Sequence, residues 1–580
     1  MWTATDPLGR SLPDYEDVGS KKSNKFVAIF YWTWHNPNMV SYGNVGNITQ
    51  ILKENPDALY NADHPAWDRG GSNTHFWGEP LYGYYRTTDT YVLRKHAEML
   101  ADAGIDAVFF DCTNAPFLWE ESYTALLKTW DQARKDGVNV PKVSFILPFG
   151  VSDASYNMIK NLYEDIYKPN KYSDLWFYWK GKPVLMAYDD NIPTDNAEDK
   201  AMKNFFTFRP GQPDYVNGPS NNSQWGWLEI YPQNMYGLNE EVTVGVAQNT
   251  CASNYYHASA FNRSGTLGRS YMGKTKSWDT RENSYLYGAN FAEQWERALE
   301  LDPQLVFVTG WNEYIAGKWN TTDWPNDLYP YSFVDQYDSE HSRDIEPNNE
   351  WWDESGNYLG DVYYYQLIQN VRKFKGMSQR VYASAEKNIK IGTFADWTDV
   401  QPDFKHYKGN AVKRAHKGHA DLFYSSSLGR NDIVDAKVAR SADSIYFYVE
   451  TASAMTATDD DYWMWLLIDI DRDKSTGWEG YDYIINYVNP ADGTGTVSKN
   501  VGNKWAWEDA GDFTYAIKSN KMEIGMPREL LGLDGDKIDF EFKWVDNMKP
   551  KDEGVFNASL FYTCGDAAPG ARFNFIYTVK

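Results

Sequence analysis

The sequence predicts an α/β protein of two domains, a (β/α)8 TIM barrel over residues 1–380 and an antiparallel β-sandwich over residues 390–580. Three observations support this division. At 580 residues the chain is too long for a single hydrophobic core. From Lys25 to about Gly376, short apolar runs alternate with amphipathic stretches, as in repeated strand–helix units. After Gly376 the runs alternate apolar with polar residues, which is typical of antiparallel strands.

Eight continuous apolar runs are predicted as the barrel strands. They cover residues 25–32, 106–111, 142–147, 183–188, 204–208, 227–231, 241–248 and 305–311. Helical spacing of apolar residues predicts helices over residues 90–104, 122–136, 154–167, 287–301 and 361–375. Continuous runs indicate strands covered on both faces, and eight of them close most readily into a barrel. Reactive side chains are then expected at the carboxyl ends of the strands.

The predicted second domain contains short strands separated by Gly, Asn and Asp turns. They cover residues 442–450, 463–471, 481–488, 521–526, 537–545 and 571–577. A run of short strands with turns at such intervals predicts a β-sandwich.

Charge and hydropathy exclude several classes of partner. The chain has 56 Lys and Arg residues against 80 Asp and Glu residues, a formal net charge of -24 that disfavours nucleic acids and anionic membranes. No apolar stretch is long enough to span a membrane, and the first residues lack the apolar segment of a signal peptide. The three cysteines are widely spaced, which predicts neither a disulfide framework nor a CxxC metal site.

The aromatic content favours a carbohydrate ligand. Phe, Trp and Tyr make up 17% of the chain, with 25 Trp and 43 Tyr. Aromatic faces offer apolar surfaces on which sugar rings can stack, although each single ring is as readily a core residue. The nine histidines show no HxH or HExxH pairing, which argues against a metal-dependent hydrolase on the same barrel.

Glycosidic bonds are usually cleaved by two carboxyl groups, so carboxylates that follow barrel strands are the first candidates. Glu313 is the strongest, because it follows an apolar strand and lies beside Trp311, Asn312 and Tyr314. Flanking aromatics would exclude water and raise its pKa, as a general acid requires. The alternative is a carboxylate that caps a loop or pairs with an arginine.

The barrel also resembles glycoside hydrolase family 99 and its WbsX-like relatives, which include endo-acting α-mannosidases. The similar segments are WNEYIAG (311–317), SWDTRE (277–282) and the unit over residues 89–111. The resemblance implies that Glu313 matches the first catalytic glutamate of the family motif, whereas the second falls on Ala316. The second carboxylate is therefore sought elsewhere, and the candidates are Glu346 in SRDIEP (342–347), Asp279 and Asp111.

Further residues near predicted strand ends are candidates for substrate binding. They are Trp311, Asn312, Trp278, Arg281, His75, Trp77, Glu79, Tyr82, Arg209 and Gln248. Loops with crowded polar and aromatic groups often build binding subsites above a barrel. The loop that contains His75 and Glu79 is as readily an ordinary surface loop, and Arg209 and Gln248 as readily form salt bridges or caps.

The second domain resembles family 9 carbohydrate-binding modules over residues 431–450 and 466–486. Trp505 and Trp507, in a polar context, are its candidate sugar-stacking residues. The alternating spacing of Asp469, Asp471 and Asp473 is typical of calcium loops. One interpretation is a structural calcium ion, and the other is a solvated acidic turn.

Together these features predict a glycoside hydrolase with Glu313 as one catalytic carboxylate, and no cofactor is expected for catalysis. The alternative is a non-catalytic glycan-binding protein on a degenerate barrel. A glycan or polysaccharide is the expected partner, and neither nucleic acid nor a membrane span is expected. We expect the protein to be secreted, periplasmic or displayed at the cell surface, with an export signal that this sequence does not include.

Overall fold

The computed structural model describes residues 2–36, 46–67, 74–212, 214–258, 260–321, 328–533, 535 and 537–580, without the side chains of residues 254–258. Eight strands are numbered β1 to β8, of which seven overlap the predicted runs and β6 lies just before the run 227–231. They are Phe26–Tyr31, Ala107–Asp111, Lys142–Ile146, Lys182–Leu185, Thr207–Phe208, Trp225–Gly226, Glu241–Gly245 and Leu305–Thr309.

Five of these strands form one parallel sheet in the order β7, β8, β1, β2, β3. Val306 of β8 pairs with Val27 of β1, and Phe30 of β1 pairs with Phe109 of β2. All of these positions are buried, as the continuous apolar runs predict for strands covered on both faces. The prediction of an α/β fold with a parallel sheet is confirmed.

The strands β4, β5 and β6 continue this parallel arrangement through shorter pairings. Met186, directly after β4, bridges Ile146 of β3 in parallel, and Val184 of β4 pairs with Thr207 of β5. β6 pairs in parallel with the two-residue strand Gly211–Gln212. The predicted strand over residues 204–208 is partly helix, and the run 227–231 follows β6 without forming a strand. Within this run the Glu229 carbonyl accepts hydrogen bonds from the side chains of Gln248 and Gln294, so side chains take the place of a neighbouring strand.

Five helices of the first domain lie close to the predicted ranges, and the helices 15–18, 48–54 and 197–205 were not predicted. In chain order, the helices are Tyr15–Val18, Ile48–Glu54, Thr90–Asp102, Glu120–Lys135, Asp153–Leu162, Ala197–Phe205, Ala289–Leu301 and Val362–Lys375. The helix Thr90–Asp102 begins where the Asp89 side chain accepts a hydrogen bond from the backbone N–H of Tyr91. It ends just before Gly104, whose φ of 74° suits a glycine.

The second domain contains a large antiparallel sheet of twelve strands. Its strands are Phe404–Lys405, Ile433–Arg440, Ser444–Thr451, Trp465–Asp469, Tyr483–Ile485, Thr494–Asn500, Trp507–Lys518, Lys521–Pro527, Asp539–Asp546, Asp566–Ala568 and Asn574–Thr578, joined by Trp2–Thr3 from the start of the chain. Phe447 and Phe540 lie on strands far apart in the sheet order, yet their ring centroids are 6.1 Å apart. The sheet therefore curves around a core between its two parts.

A hairpin of the second domain, Arg414–Lys417 paired with Phe423–Ser426, packs on the first domain. Arg414 forms a buried ion pair with Asp89 at 2.6 Å. The Tyr84 N–H donates a hydrogen bond to the Tyr424 hydroxyl at 2.7 Å. The hairpin thus fixes the loop after β1 that leads towards the strand ends.

Candidate active site

Glu313 lies just beyond the carboxyl end of β8 and forms a buried ion pair with Arg343. The guanidinium donates two hydrogen bonds to Oε2 of Glu313, at 3.1 Å from Nε and 2.7 Å from Nη2. Arg343 also contacts Asp335 at 3.0 Å. Burial raises the pKa of Glu313 above its ordinary value, and the charge of Arg343 opposes this rise. Oε1 of Glu313 accepts no hydrogen bond from the described part of the chain.

The backbone around Trp311 sets the relative position of Glu313 and Arg343. The Trp311 N–H donates to the carbonyl of Phe30 at 2.9 Å, which joins this turn to β1. The Trp311 carbonyl accepts from the N–H of Ile345 at 3.0 Å and of Glu346 at 2.8 Å. Because both segments share this carbonyl, the Arg343 segment lies beside the Glu313 turn.

Asp111 ends β2 and is fully buried. Its Oδ1 accepts a hydrogen bond from the Thr113 N–H at 3.1 Å, whereas Oδ2 has no hydrogen-bond partner within the described residues. Burial raises the pKa of Asp111 to about 7. Asp335 raises and Arg343 lowers the pKa of both Asp111 and Glu313, so the two carboxyl groups have the same charged neighbours.

A group of aromatic rings borders these carboxyl groups. Trp227 lies over the Arg343 guanidinium at 5.5 Å and is surrounded by Phe30, Phe149 and Tyr215, with ring centroids 5.9 to 6.2 Å away. Trp227 is only partly buried as a residue. Its Nε1 and Nη1 of Arg343 are buried donors without an acceptor in the described ranges. Buried donors without partners are costly, so they mark a place where a polar ligand can bind.

Asn312 holds the turn beside Glu313. Its Oδ1 accepts from the Trp32 N–H at 2.8 Å, its Nδ2 donates to the Tyr85 hydroxyl at 3.1 Å, and its carbonyl contacts His35 Nε2 at 2.8 Å. These contacts make Asn312 a positioning residue rather than a group that faces a ligand. The Trp311 ring is fully buried, 5.5 Å from that of His96, and belongs to the core.

Glu346, the first candidate for the second carboxylate, lies in a closed network. It accepts hydrogen bonds from the Tyr85 hydroxyl at 2.7 Å and contacts His96 Nε2 at 2.9 Å. His96 Nδ1 in turn contacts the Tyr31 hydroxyl at 2.8 Å. Since both carboxylate oxygens are hydrogen-bonded to protein groups, Glu346 is a positioning residue and is not proposed as a catalytic carboxylate.

Asp279 is not proposed as a catalytic carboxylate either, because it forms an ion pair with a nearby arginine. Its carboxylate accepts hydrogen bonds from Arg281, which hold the pKa of Asp279 below its ordinary value. Trp278, 37% exposed, ends the strand Ser277–Trp278, and its Nε1 donates to the Leu267 carbonyl at 3.1 Å. None of these contacts involves Asp111 or Glu313.

The other predicted binding residues of the first domain are mostly committed to packing. Trp77 is buried, stacks on Tyr314 at 5.4 Å and donates to Asp344 at 2.6 Å. His75 and Tyr82 are also buried. Glu79 is partly buried, and burial raises its pKa to about 6. These residues are therefore poor candidates for direct contacts to a ligand.

Arg209 and Gln248 differ from each other in their surroundings. Arg209 forms a bidentate ion pair with Glu240, at 2.7 and 2.9 Å, as the salt-bridge alternative predicts. Gln248, just beyond β7, donates to the Glu229 carbonyl at 2.7 Å. Its Oε1 is buried with no hydrogen bond from the described residues, so Gln248 stays a candidate for ligand binding.

In the second domain, Trp505 and Trp507 belong to an aromatic cluster. Trp505 stacks on Phe556 with ring centroids 3.9 Å apart, and its ring lies 5.5 Å from that of Trp507. Both indoles are partly buried, and both Nε1 groups lack a partner among the residues that the structure describes. Their proposed role as a sugar platform stays a prediction.

The acidic loop of the second domain groups Asp469 and Asp471 with Asp482 rather than with Asp473. Asp473 is exposed and accepts a hydrogen bond from Ser475. Lys474 Nζ lies 2.6 Å from Asp469 Oδ2, so an ammonium group already neutralises the most buried carboxylate. This arrangement does not fit a resident calcium ion, because the lysine charge would repel the cation.

Arg343 and Asp335 are the site residues that the sequence analysis missed. Arg343 lies within SRDIEP, a segment considered only for Glu346. The sequence analysis allowed that Glu313 pairs with an arginine, but a sequence alone does not show which arginine that is. Trp227 was missed because its run resembled a strand.

No family model matches the sequence, and no curated protein matches it. Two solved structures of the GH99 endo-alpha-mannosidase from Bacteroides thetaiotaomicron show a likeness. The complex with BIS-TRIS-Propane has a TM-score of 0.33 at 14% identity and covers 60% of this chain and 97% of that one. The other has a TM-score of 0.32 at 15% identity with the same coverages. No helix within the described ranges is long and apolar enough to cross a membrane.

Proposed function

We propose that this protein is a glycoside hydrolase that uses Asp111 and Glu313 as its two carboxyl groups, on parallel strands that close into a (β/α)8 barrel. One observation carries the proposal. Two buried carboxyl groups at the ends of β2 and β8 have the same charged neighbours and lie near aromatic rings with unpaired donors. Carboxyl pairs in an aromatic cleft are the usual machinery of glycosidic bond cleavage.

Asp111 is proposed as the general acid. Its pKa of about 7 means that a large share of the molecules carry a proton on this group at neutral pH. Oδ2 has no partner in the described part of the protein, so it is available to protonate a leaving oxygen. A general acid with a pKa close to the working pH is efficient, because it is both protonated and able to release its proton.

Glu313 is proposed as the carboxylate that acts on the sugar or on a water molecule. Burial raises the pKa of Glu313, and two N–H groups of Arg343 that donate to its Oε2 oppose this rise, because such charge-assisted bonds favour the ionised form. Oε1 is left for the substrate or the water. Arg343 orients and stabilises Glu313 in this scheme through Nε and Nη2, and its Nη1 is left to donate to the substrate.

The aromatic rings supply the binding surface. Trp227 is only partly buried, so the exposed part of its ring can contact the C–H surface of a sugar, and its unpaired indole N–H can donate to a hydroxyl group. Gln248 Oε1 and Arg343 Nη1 add an acceptor and a donor. Such a set recognises hydroxyl groups, which agrees with a glycan as substrate.

The proposal is tested on a panel of α-mannan, β-mannan, xylan and a β-glucan, each with its disaccharide to hexasaccharide fragments. Wild-type protein is expected to release reducing ends from at least one of them. The kcat/KM for that glycan is expected to fall as pH rises through about 7, because Asp111 loses its proton. A catalytic rate that keeps rising above this pH would contradict the role of Asp111.

A non-catalytic glycan-binding protein is the second candidate. It is favoured by Ala316, which stands where the resemblance to family 99 implies a second glutamate. Binding of a panel glycan without any hydrolysis would support this candidate and overturn the proposed activity.

A further inference from the structure

A row of four aromatic rings leads from the Glu313 turn to the protein surface. The ring centroids of Trp32 and Trp34 are 4.5 Å apart, those of Trp34 and Trp119 are 5.7 Å apart, and those of Trp119 and Phe117 are 4.7 Å apart. The row begins at Trp32, whose backbone N–H donates to Asn312, and ends at Phe117, which is 50% exposed. We call these four residues the aromatic track.

The backbone of Trp119 is held in an unusual conformation. Its φ is 56°, in the left-handed region that bulky side chains rarely adopt. Such strain persists only where the surrounding structure imposes it, and it is often found at functional sites. Here it lies directly before the helix Glu120–Lys135, on the loop that begins after Asp111.

The indoles of the aromatic track have unused hydrogen-bonding capacity. Nε1 of Trp32, Trp34 and Trp119 is buried without an acceptor among the described residues. Three unpaired buried donors cost free energy, which an acceptor on a bound ligand would recover. Sugar hydroxyl groups are acceptors that could bind to such donors, while the ring faces contact C–H groups.

A groove of about 370 Å³ adjoins the outer end of the track. Phe117, Trp119 and Met158 contribute apolar surface to its lining, and Glu120, Glu121 and Asp165 contribute exposed carboxylates. Carboxylates accept hydrogen bonds from sugar hydroxyl groups and repel negatively charged sugars. The chemistry of the groove therefore fits uncharged sugar residues.

We propose that the aromatic track and this groove form a binding site for further uncharged sugar residues of the glycan that is cleaved beside Glu313. This inference rests on the proposed hydrolase activity. The aromatic track begins at the Glu313 turn, so a glycan chain bound between Asp111 and Glu313 would extend along the loop that carries Trp119. For this reason we propose sugar residues of the same glycan as the ligand of the track. Longer substrates should therefore bind better than short ones.

The test uses Phe117→Ala in the intact protein, with Tyr178→Ala as its matched control. Both rings are about half exposed, at 50% and 47%, and Tyr178 lies on the short strand Tyr178–Trp179, which precedes β4. For the hexasaccharide of the panel glycan that wild type cleaves, Phe117→Ala is expected to lower kcat/KM about 3- to 10-fold, the usual effect of losing one ring contact. For the disaccharide it should change nothing, and Tyr178→Ala should leave both substrates unaffected.

A second variant, Trp119→Phe, keeps one aromatic ring and removes the pyrrole part of the indole with its N–H. It is expected to lower kcat/KM for the hexasaccharide about 2- to 10-fold without changing that for the disaccharide. Equal effects of both variants on the two substrates, or no effect on either, would overturn the track while leaving the hydrolase activity established. If wild type cleaves no glycan of the panel, the proposed function fails and the inference fails with it.

Discussion

The substitution Asp111→Asn is expected to change both the activity and the stability, because both depend on the same carboxyl group. The carboxyl group is fully buried, and burial raises its pKa from 3.8 to about 7. In the unfolded chain the group loses its proton at the lower value. The folded state is therefore penalised as pH rises from about 4 to about 7, so stability that is present at low pH is lost through this range.

The expected size of this effect follows from the two pKa values. A difference of about 3 pH units at roughly 1.4 kcal/mol per unit gives a penalty of about 4 kcal/mol, of which roughly 2 to 3 kcal/mol develops between about pH 5 and about pH 8. Asparagine has the same shape but does not ionise. Any penalty from its unpaired amide is independent of pH, so it cancels when the two pH values are compared.

The assay is urea denaturation of wild type and Asp111→Asn at both pH values. Relative to wild type, the variant should gain roughly 2 to 3 kcal/mol in the free energy of unfolding between about pH 5 and about pH 8, while its hydrolysis rate falls about 100-fold or more. Asp190→Asn, at an exposed position, is the control and should show neither change. A stability difference that does not vary with pH would refute the raised pKa of Asp111.

Two further predictions concern the second domain. Because Lys474 already neutralises Asp469, EDTA and added calcium should leave the melting temperature unchanged. The substitution Lys474→Gln should lower the free energy of unfolding, measured by urea titration, by about 3 kcal/mol or less. A fall in melting temperature with EDTA would contradict this account. Tyr424→Phe removes the acceptor of the Tyr84 N–H and should lower kcat about 10-fold at unchanged KM. The control Tyr446→Phe breaks a hydrogen bond within the second domain and should leave kcat unchanged. Equal kcat values for the two variants would show that the hairpin does not position the site.

The sequence was sufficient where burial alone determines structure. The apolar runs of β1, β2, β3, β7 and β8 identified a parallel sheet, and the runs that were misjudged are short and rich in aromatic residues. The segment 204–208 contains Phe205, Phe206 and Phe208, which can complete a helix or begin a strand equally well. Such ambiguity is resolved only by tertiary packing.

The candidate site was predicted in part, because strand ends can be read from a sequence but side-chain partners cannot. Glu313 and Asp111 follow strands, so both were candidates. Their difference from Glu346 lies in contacts with Tyr85 and His96, which are more than 200 residues away in the chain. The same limit hid Arg343, whose pairing with Glu313 depends on a shared backbone carbonyl.

The most direct measurement of the central claim is the release of reducing ends from the panel glycans by wild type and by Glu313→Gln. This substitution keeps the shape of the side chain and removes the charge that Arg343 pairs with. Wild type is expected to cleave at least one glycan, with a loss of about 1,000-fold or more in kcat for the variant and circular dichroism spectra that coincide. Equal rates for the two proteins would contradict the assignment of Glu313.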